Sequence, residues 1–399
     1  MEYLFANITK LFESSAVRDI LKVVSQGDVI SFAGGLPYDE LFPVQAVEQA
    51  YRCVFESGKK SMQYGLTEGF IPLREKIAER MGQKGISVDV NNIMLTTGSQ
   101  QVIDLFSRIM LNPGDTILTE NPTYLAALQV FNSYEAKIVA VETDDEGMKQ
   151  EDLENKIKQH QPKFVYVVPT FSNPAGRVWS LERRKHLVSL AKKYNVLILE
   201  DDPYGEIKFH PEETYTPLAA LDDAGIVLYT STFSKTVVPA LRTGWVAGPL
   251  EVIRMMARSK QAADLHSSSL DQQALYYLLR DFDLDSHISN IRTEYHKRMQ
   301  VMQGQLASVE LPGLSYVSPK GGMFFWIKLH EKINTTLLFE EAVKKGVAYV
   351  PGAPFYVGKP EHNTMRLNFT HATPDKIRQG MQQLVEVVEH AYSALKVEQ

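Results

Sequence analysis

The feature that most restricts the fold is a series of short β-rich runs separated by amphipathic helical stretches, starting near residue 90. NIMLTT (92–97), TILTE (116–120), KIVAV (137–141), KFVYVVP (163–169), VLILED (196–201), IVLYTST (226–232) and TGWVAG (243–248) read as strands. Several are continuous apolar or β-branched runs, as expected of strands buried on both faces; half-exposed strands would alternate. After the first run, Ser99 to Leu111 sets Val102, Ile103, Leu105, Phe106, Ile109 and Met110 on one face at a helical period, and Leu181 to Tyr194 reads as another helix. This alternation predicts an α/β fold, a mostly parallel sheet flanked by helices.

Past residue 285 the pattern changes to a long charged helix, then KGGMFFWIKL, a helix, MRLNFT and a final helix. That order predicts a small α+β domain. With 399 residues the chain has room for two unequal units, since domains usually hold about 100 to 200 residues. The expected division is an N-terminal segment, 1–45, packing with the small domain; a large domain, 46–285; and a small C-terminal domain, 286–399. The N-terminal segment carries its own helix and a turn at GGLP.

Apolar residues make up 44% and charged residues 23%, ordinary globular usage. Forty-two basic residues against 48 acidic ones leave a net charge of −6, and no long block of one sign is present to track nucleic acid or a membrane. A small-molecule partner fits better. The single cysteine, Cys53, cannot form an intrachain disulfide, and no Cys/His cluster has metal-ligand spacing, so no metal is expected. The N-terminus lacks a basic stretch followed by an apolar one, and no apolar run reaches about 18 residues, so a cytoplasmic protein is expected.

In an open parallel sheet, ligands gather beyond the carboxyl ends of the strands, where loops converge and helix N-termini point inward. That edge collects Gly98-Ser99-Gln100, Asn173, Asp201 with Tyr204, and Thr232 to Lys235. Each also has an ordinary structural reading. Gly98-Ser99 suits a helix N-cap, NPAG (173–176) a type I turn, and Lys235 a solvated surface. Together they supply a phosphate cradle, a carboxylate and a lysine at one sheet edge. A helix start offers unpaired N–H groups and partial positive charge, and Ser234 and Arg242 could complete an anion cradle. The stretch after Lys235 is too poor in glycine for a nucleotide P-loop.

STFSK followed by Arg242, with NPAG and EDDPYGE upstream, resembles the aspartate-aminotransferase fold type (fold type I) of pyridoxal-phosphate enzymes. The ordered series SFAGGLPYDELFP, TTGSQQ, ENPTY, SNPAG, LEDDPY, STFSK and MRLNF is most similar to the 2-aminoadipate and kynurenine aminotransferase group. The likeness runs from about Arg18 to the last helix. It implies pyridoxal 5'-phosphate as cofactor. Lys235 would carry it as a Schiff base and shuttle the proton between the substrate α-carbon and the cofactor.

The resemblance further implies that Asp201 pairs with the pyridine nitrogen, that Asn173 and Tyr204 hydrogen-bond the phenolic oxygen, and that Tyr124 stacks on the ring. Gly98, Ser99, Gln100, Thr232, Ser234 and Arg242 would hold the phosphate. Arg366 would clamp the substrate α-carboxylate beside Asn173, and Gly35 would lie in a cover segment. Tyr64 would reach the phosphate of a neighbouring subunit, which implies a homodimer. Arg18 would meet a distal carboxylate or retract from an apolar side chain.

The residues alone read Tyr124 first as a core aromatic, and also allow Tyr64 as a strand or turn tyrosine and Arg18 as an exposed helix residue; a surface reading of Arg366 is weakened by its apolar neighbours Met365, Leu367 and Phe369. Thr232 stands where many relatives have serine. Tyr124 replaces the tryptophan of aspartate aminotransferases, which weakens the case for strict aspartate specificity.

The implied reaction moves an amino group from an L-amino acid of 2-aminoadipate, aromatic or aliphatic type to a 2-oxo acid, 2-oxoglutarate first among candidates, by a ping-pong cycle. The same cofactor also supports C–S β-lyase chemistry. Some bacterial regulators join a winged-helix domain to a similar body as effector-binding proteins. Here the likeness begins within the first twenty or so residues and the charge is acidic, so DNA binding is not expected.

Overall fold

Each β-rich run is short and flanked by a helix or turn signal, so the chain can return repeatedly to one sheet. A computed structural model describes residues 3–12, 16–24 and 28–397; parts of the expected N-terminal segment, 1–2, 13–15 and 25–27, lie outside the described residues. All seven runs become strands of one seven-stranded sheet. Across it they lie in the order Ile93–Thr96, Gly244–Ala247, Val227–Thr232, Leu197–Asp201, Phe164–Val167, Thr116–Thr119 and Lys137–Ala140.

Gly244–Ala247 runs antiparallel to both its neighbours, and the other pairings between adjacent strands are parallel. The mostly parallel α/β fold expected from the sequence is therefore present. The reversed strand has a physical cause. The connection from the preceding strand, residues 233–243, holds a turn and the 3-10 segment Pro239–Leu241 but no α-helix, whereas a parallel return is usually made through a crossover helix. Reversal also brings Gly244 opposite Thr232 and Thr96, so the whole 233–243 connection lies at the carboxyl edge.

Strand alternation divides the central core. Phe164, Tyr166 and Leu199 face one way, packing with Val102, Phe106 and Phe131. Val165, Val167 and Ile198 face the other, packing with Leu187, Ala191 and Ile157. The helices Ser99–Met110 and Leu125–Ser133 cover the first face, and Leu181–Tyr194 and Gln150–His160 the second.

The C-terminal region builds a second, four-stranded sheet in the order Ser315–Tyr316, Phe324–Lys328, Thr364–Asn368 and Val350–Pro351. It has its own apolar cluster, which also takes in Phe32, Ile207 and Phe209. Ile30–Ser31 pairs in parallel with Val347–Ala348 and so ties the N-terminal residues to this region.

Candidate active site

The 233–243 connection is anchored on its apolar side and open on its polar side. Phe233, Val237 and Leu241 are buried against Trp245 and the helix Ser269–Asp281. Lys235 projects the other way, into a cavity of about 310 Å³ at the carboxyl edge of the sheet. Its amine donates to the Gly35 carbonyl at 2.9 Å. Burial, then the positive charges of Arg366 and Arg242, push its pKa down from 10.5 to about 8. This is a poised amine rather than a solvated lysine.

Gly35, Ser99, Gln100, Tyr124, Asn173, Asp201, Tyr204, Thr232, Ser234, Arg242 and Arg366 line the same cavity. Gly98 lies just behind it. There φ is +75°, and a Cβ would come within 2.5 Å of Arg242 Nη2, so only glycine permits the approach. Gly244 is equally constrained, because a Cβ there would meet the backbone of Gly98 and Ser99 at 2.7 Å.

The helix Ser99–Met110 therefore begins against the Arg242 guanidinium, and its N-cap, Gly98, offers no side chain to cap its first N–H groups. Arg242 Nη1 donates to Ser234 Oγ at 3.2 Å, and Ser234 Oγ lies 2.9 Å from Thr232 Oγ1. Threonine thus keeps the hydroxyl that serine would provide. Helix N–H groups, hydroxyls and a guanidinium make an anion cradle.

Across the cavity, Asp201 is buried at the end of its strand. Its Oδ2 accepts from the Tyr166 hydroxyl at 2.8 Å, while Oδ1 has no hydrogen-bond partner among the described residues. Burial raises this carboxyl to about 7, with the Tyr166 hydrogen bond pulling the opposite way. An orphaned buried carboxylate oxygen is costly unless a donor or cation arrives to meet it.

Arg366 is also buried. Its two terminal nitrogens donate to Asn173 Oδ1 and to the Ala33 carbonyl, each at 2.7 Å, and Nε has no partner among the described residues. Its guanidinium lies over Phe324 and Phe355, at 4.3 and 5.2 Å. Burial lowers its pKa to about 10, which leaves it cationic at neutral pH. Burial likewise raises Tyr124 to about 12 and raises Tyr204 further, so both hydroxyls stay protonated.

Besides Gly98, two expected residues are not among those lining the cavity. Arg18 is exposed on the helix Ala16–Val24, which turns Val17, Ile20 and Val24 inward at helical spacing; Val17 lines the cavity instead. Tyr64 is 78% exposed, beside a surface groove shared with Leu66, Ile71 and His266.

Other contributors went unread in the sequence. Val17, Leu125 and Phe355 form an apolar wall, and Tyr166 supports Asp201. Glu120 accepts from Val168 N–H and Trp179 Nε1 at 2.7 Å each, and so braces the 121–124 loop. A visible signal existed for one of these: Tyr166 is the hydroxyl in the otherwise unpolar interior of KFVYVVP.

The arrangement has the right chemistry for pyridoxal phosphate: a phosphate cradle at one end, an unpaired carboxylate oxygen for a cationic ring nitrogen at the other, and a depressed-pKa amine between. Fold and site together define a fold type I pyridoxal-phosphate enzyme.

The family model "Aminotransferase class I and II" matches residues 27–384. The aromatic-amino-acid aminotransferase 1 of Thermococcus litoralis is 43% identical, over 94% of this chain and 92% of that protein. The kynurenine aminotransferase of Pyrococcus horikoshii, solved with PMP, KYN and KYA, superposes with a TM-score of 0.93 at 42% identity, covering 97% of both chains. The α-aminoadipate aminotransferase LysN of Thermus thermophilus, complexed with N-(5'-phosphopyridoxyl)-L-leucine, gives 0.91 at 31% identity over 98% of both. The chain belongs to the class I and II aminotransferases, and is a transferase that uses pyridoxal phosphate.

Proposed function

We propose that this aminotransferase takes its amino group from aromatic and aliphatic L-amino acids and passes it to a 2-oxo acid, 2-oxoglutarate first, by a ping-pong cycle. The observation that carries the donor class is the apolar wall of Val17, Leu125 and Phe355, set beside the guanidinium of Arg366. Among the described residues, the basic side chains lining the cavity are Lys235, Arg242 and Arg366. Arg242 serves the phosphate cradle and Arg366 the α-carboxylate, which leaves apolar surface for the donor side chain.

When bound, pyridoxal phosphate supplies an electron sink that makes the substrate α-proton removable. Ser99, Gln100, Ser234 and Arg242 would hold its phosphate end, Asp201 its ring nitrogen, Asn173 and Tyr204 its phenolic oxygen, and Tyr124 one ring face. Substrate carboxylate displaces the Ala33 carbonyl from Arg366, whose planar fork suits two oxygens. Lys235 would take the α-proton and return a proton on the cofactor side, two atoms along; its depressed pKa keeps a useful fraction neutral near pH 7.

A dicarboxylate acceptor needs a second cation. We assign that to Arg18, one residue from the wall at Val17. A panel of donors and acceptors tests both assignments. Phenylalanine-type and leucine-type donors should exceed aspartate in kcat/KM. Arg18→Ala should raise KM for 2-oxoglutarate about tenfold while leaving apolar donors unchanged, as loss of one exposed charged contact predicts. A uniform or absent effect removes Arg18 from the site. Ammonia and pyruvate from a cysteine conjugate, with no oxo acid from the panel, would point to β-lyase chemistry instead.

The same reading includes a cytoplasmic homodimer in which Tyr64 reaches the partner's phosphate. Exposure of Tyr64, Leu66 and Ile71 around one groove supports it, since clustered apolar exposure favours association. We also retain the division at residues 45 and 285, supported by the second sheet and its separate apolar cluster.

A further inference from the structure

Buried strands seldom carry a hydroxyl without a partner for it. Tyr166 is fully buried, on the same sheet face as Phe164 and Leu199, with its ring edge-on to Phe131 at 5.4 Å. Register places it opposite Leu199 on the neighbouring strand. Because side chains alternate, Asp201 lies two residues along on that same face, within reach of the phenol. The resulting hydrogen bond to Asp201 Oδ2 is 2.8 Å long. Among the described residues, it is the hydrogen bond this carboxylate accepts; Oδ1 accepts none.

We infer that Tyr166 is a positioning residue for the reaction: its hydroxyl pins one oxygen of Asp201, turns the other toward the cofactor's ring nitrogen, and favours the charged carboxylate which that nitrogen needs. The inference rests on the assignment of Asp201 made above. A neutral donor is the chemically suitable one here. A lysine or arginine in its place would neutralise Asp201 and compete with the ring nitrogen for it, whereas a phenol stabilises the charge without cancelling it. Burial, then the Asp201 charge, hold the Tyr166 hydroxyl well above its ordinary pKa, so it remains a donor throughout the working range.

The test compares wild type, Tyr166→Phe, Asp201→Asn and the double variant. Its readouts are the dissociation constant of pyridoxal phosphate from the apoprotein, and the pH profile of kcat. Tyr166→Phe keeps the ring and removes one oxygen. It should weaken cofactor binding about tenfold, the size expected for a hydrogen bond to a charged group. kcat should fall with KM for the amino donor unchanged. The acid limb should move to higher pH, because the carboxylate loses the donor that favours its charged form.

In the Asp201→Asn background the same change should cost less than about twofold, since contacting residues couple. Equal losses in both backgrounds would show a packing role and overturn the inference, as would a Tyr166→Phe protein that binds and titrates like wild type. If Asp201→Asn itself leaves binding and turnover intact, the reading of Asp201 falls and this inference with it. If Asp201→Asn is impaired and Tyr166→Phe is not, Tyr166 alone is excluded. Should the phenylalanine variant fail to fold, Tyr166→Met, which occupies the space without a donor, must reproduce the loss.

Discussion

Asp201 and Asp202 are chain neighbours at the end of one strand, yet they serve opposite faces of the sheet. Asp201 faces the cavity with one oxygen unpartnered among the described residues. Asp202 faces the back, where it is fully engaged. One oxygen accepts from Gly205 N–H at 2.9 Å; the other accepts from the Tyr229 hydroxyl at 2.7 Å and meets Lys84 Nζ at 3.3 Å. Glu200, on the same side as Asp202, is equally saturated by the N–H groups of Leu218 and Ala219, at 2.8 and 2.9 Å. The back side spends its acids on tying loops and a helix end to the sheet. The cavity side withholds pairing, and its groups are correspondingly reactive. Incomplete satisfaction of a buried polar group is where the fold leaves room for a ligand.

The contrast can be broken most sharply at Lys235. Lys235→Ala should abolish turnover, a loss of at least about 10⁴-fold, and eliminate the borohydride-fixed label at that residue. Apoprotein stability should not fall, because a buried lysine with a depressed pKa is held at a cost rather than a gain. A label at any other lysine would undo the assignment.

Exchanging the two aspartates separates the faces next. Asp201→Asn should lower kcat by about 10²-fold or more with little change in the denaturation midpoint of the apoprotein, the lost interaction being one made with the cofactor. Asp202→Asn should do the reverse. It leaves Lys84 without its carboxylate and costs about 1 to 3 kcal/mol, below the value for a deeply buried pair because Lys84 is partly exposed. Comparable kinetic damage from both would dissolve the distinction.

The smallest effect is a pH dependence. Covalent capture of pyridoxal phosphate by the apoprotein needs the neutral amine. A folded pKa lowered to about 8 means that the capture rate climbs as pH rises through 8 and levels off above it, instead of climbing on toward the ordinary 10.5. Replacing Arg366, one of the two cations that depress this lysine, should move the midpoint upward. Absorbance stopped-flow over pH 6 to 10 reads it directly, and a midpoint unmoved from 10.5 would contradict the cavity's electrostatics.

The strands and the helix Leu181–Tyr194 were readable because hydrophobic period and backbone geometry are local properties. So was the placement of Gly98, Ser99, Lys235 and Arg242 at one edge, which follows from the rule for open parallel sheets. The reversed strand was not readable. TGWVAG has the same apolar character as its parallel neighbours, and its direction goes with a preceding connection that holds no crossover helix. Val17 shows the opposite limit: it lines the cavity, yet its place in the sequence says nothing about which stripe of its helix faces in.

By itself, then, the order of residues determined the α/β alternation, the helix start that can hold an anion, and the residue types of a pyridoxal-phosphate site. Tertiary structure decided which of those groups are paired. Arg366 meets Asn173 and Ala33, Lys235 meets Gly35, and Tyr166 meets Asp201, in most cases across hundreds of residues or between separate strands. Such contacts depend on strand order and register, which are global outcomes of packing. Whether a carboxylate oxygen ends up satisfied or open depends on them, and with it the chemistry.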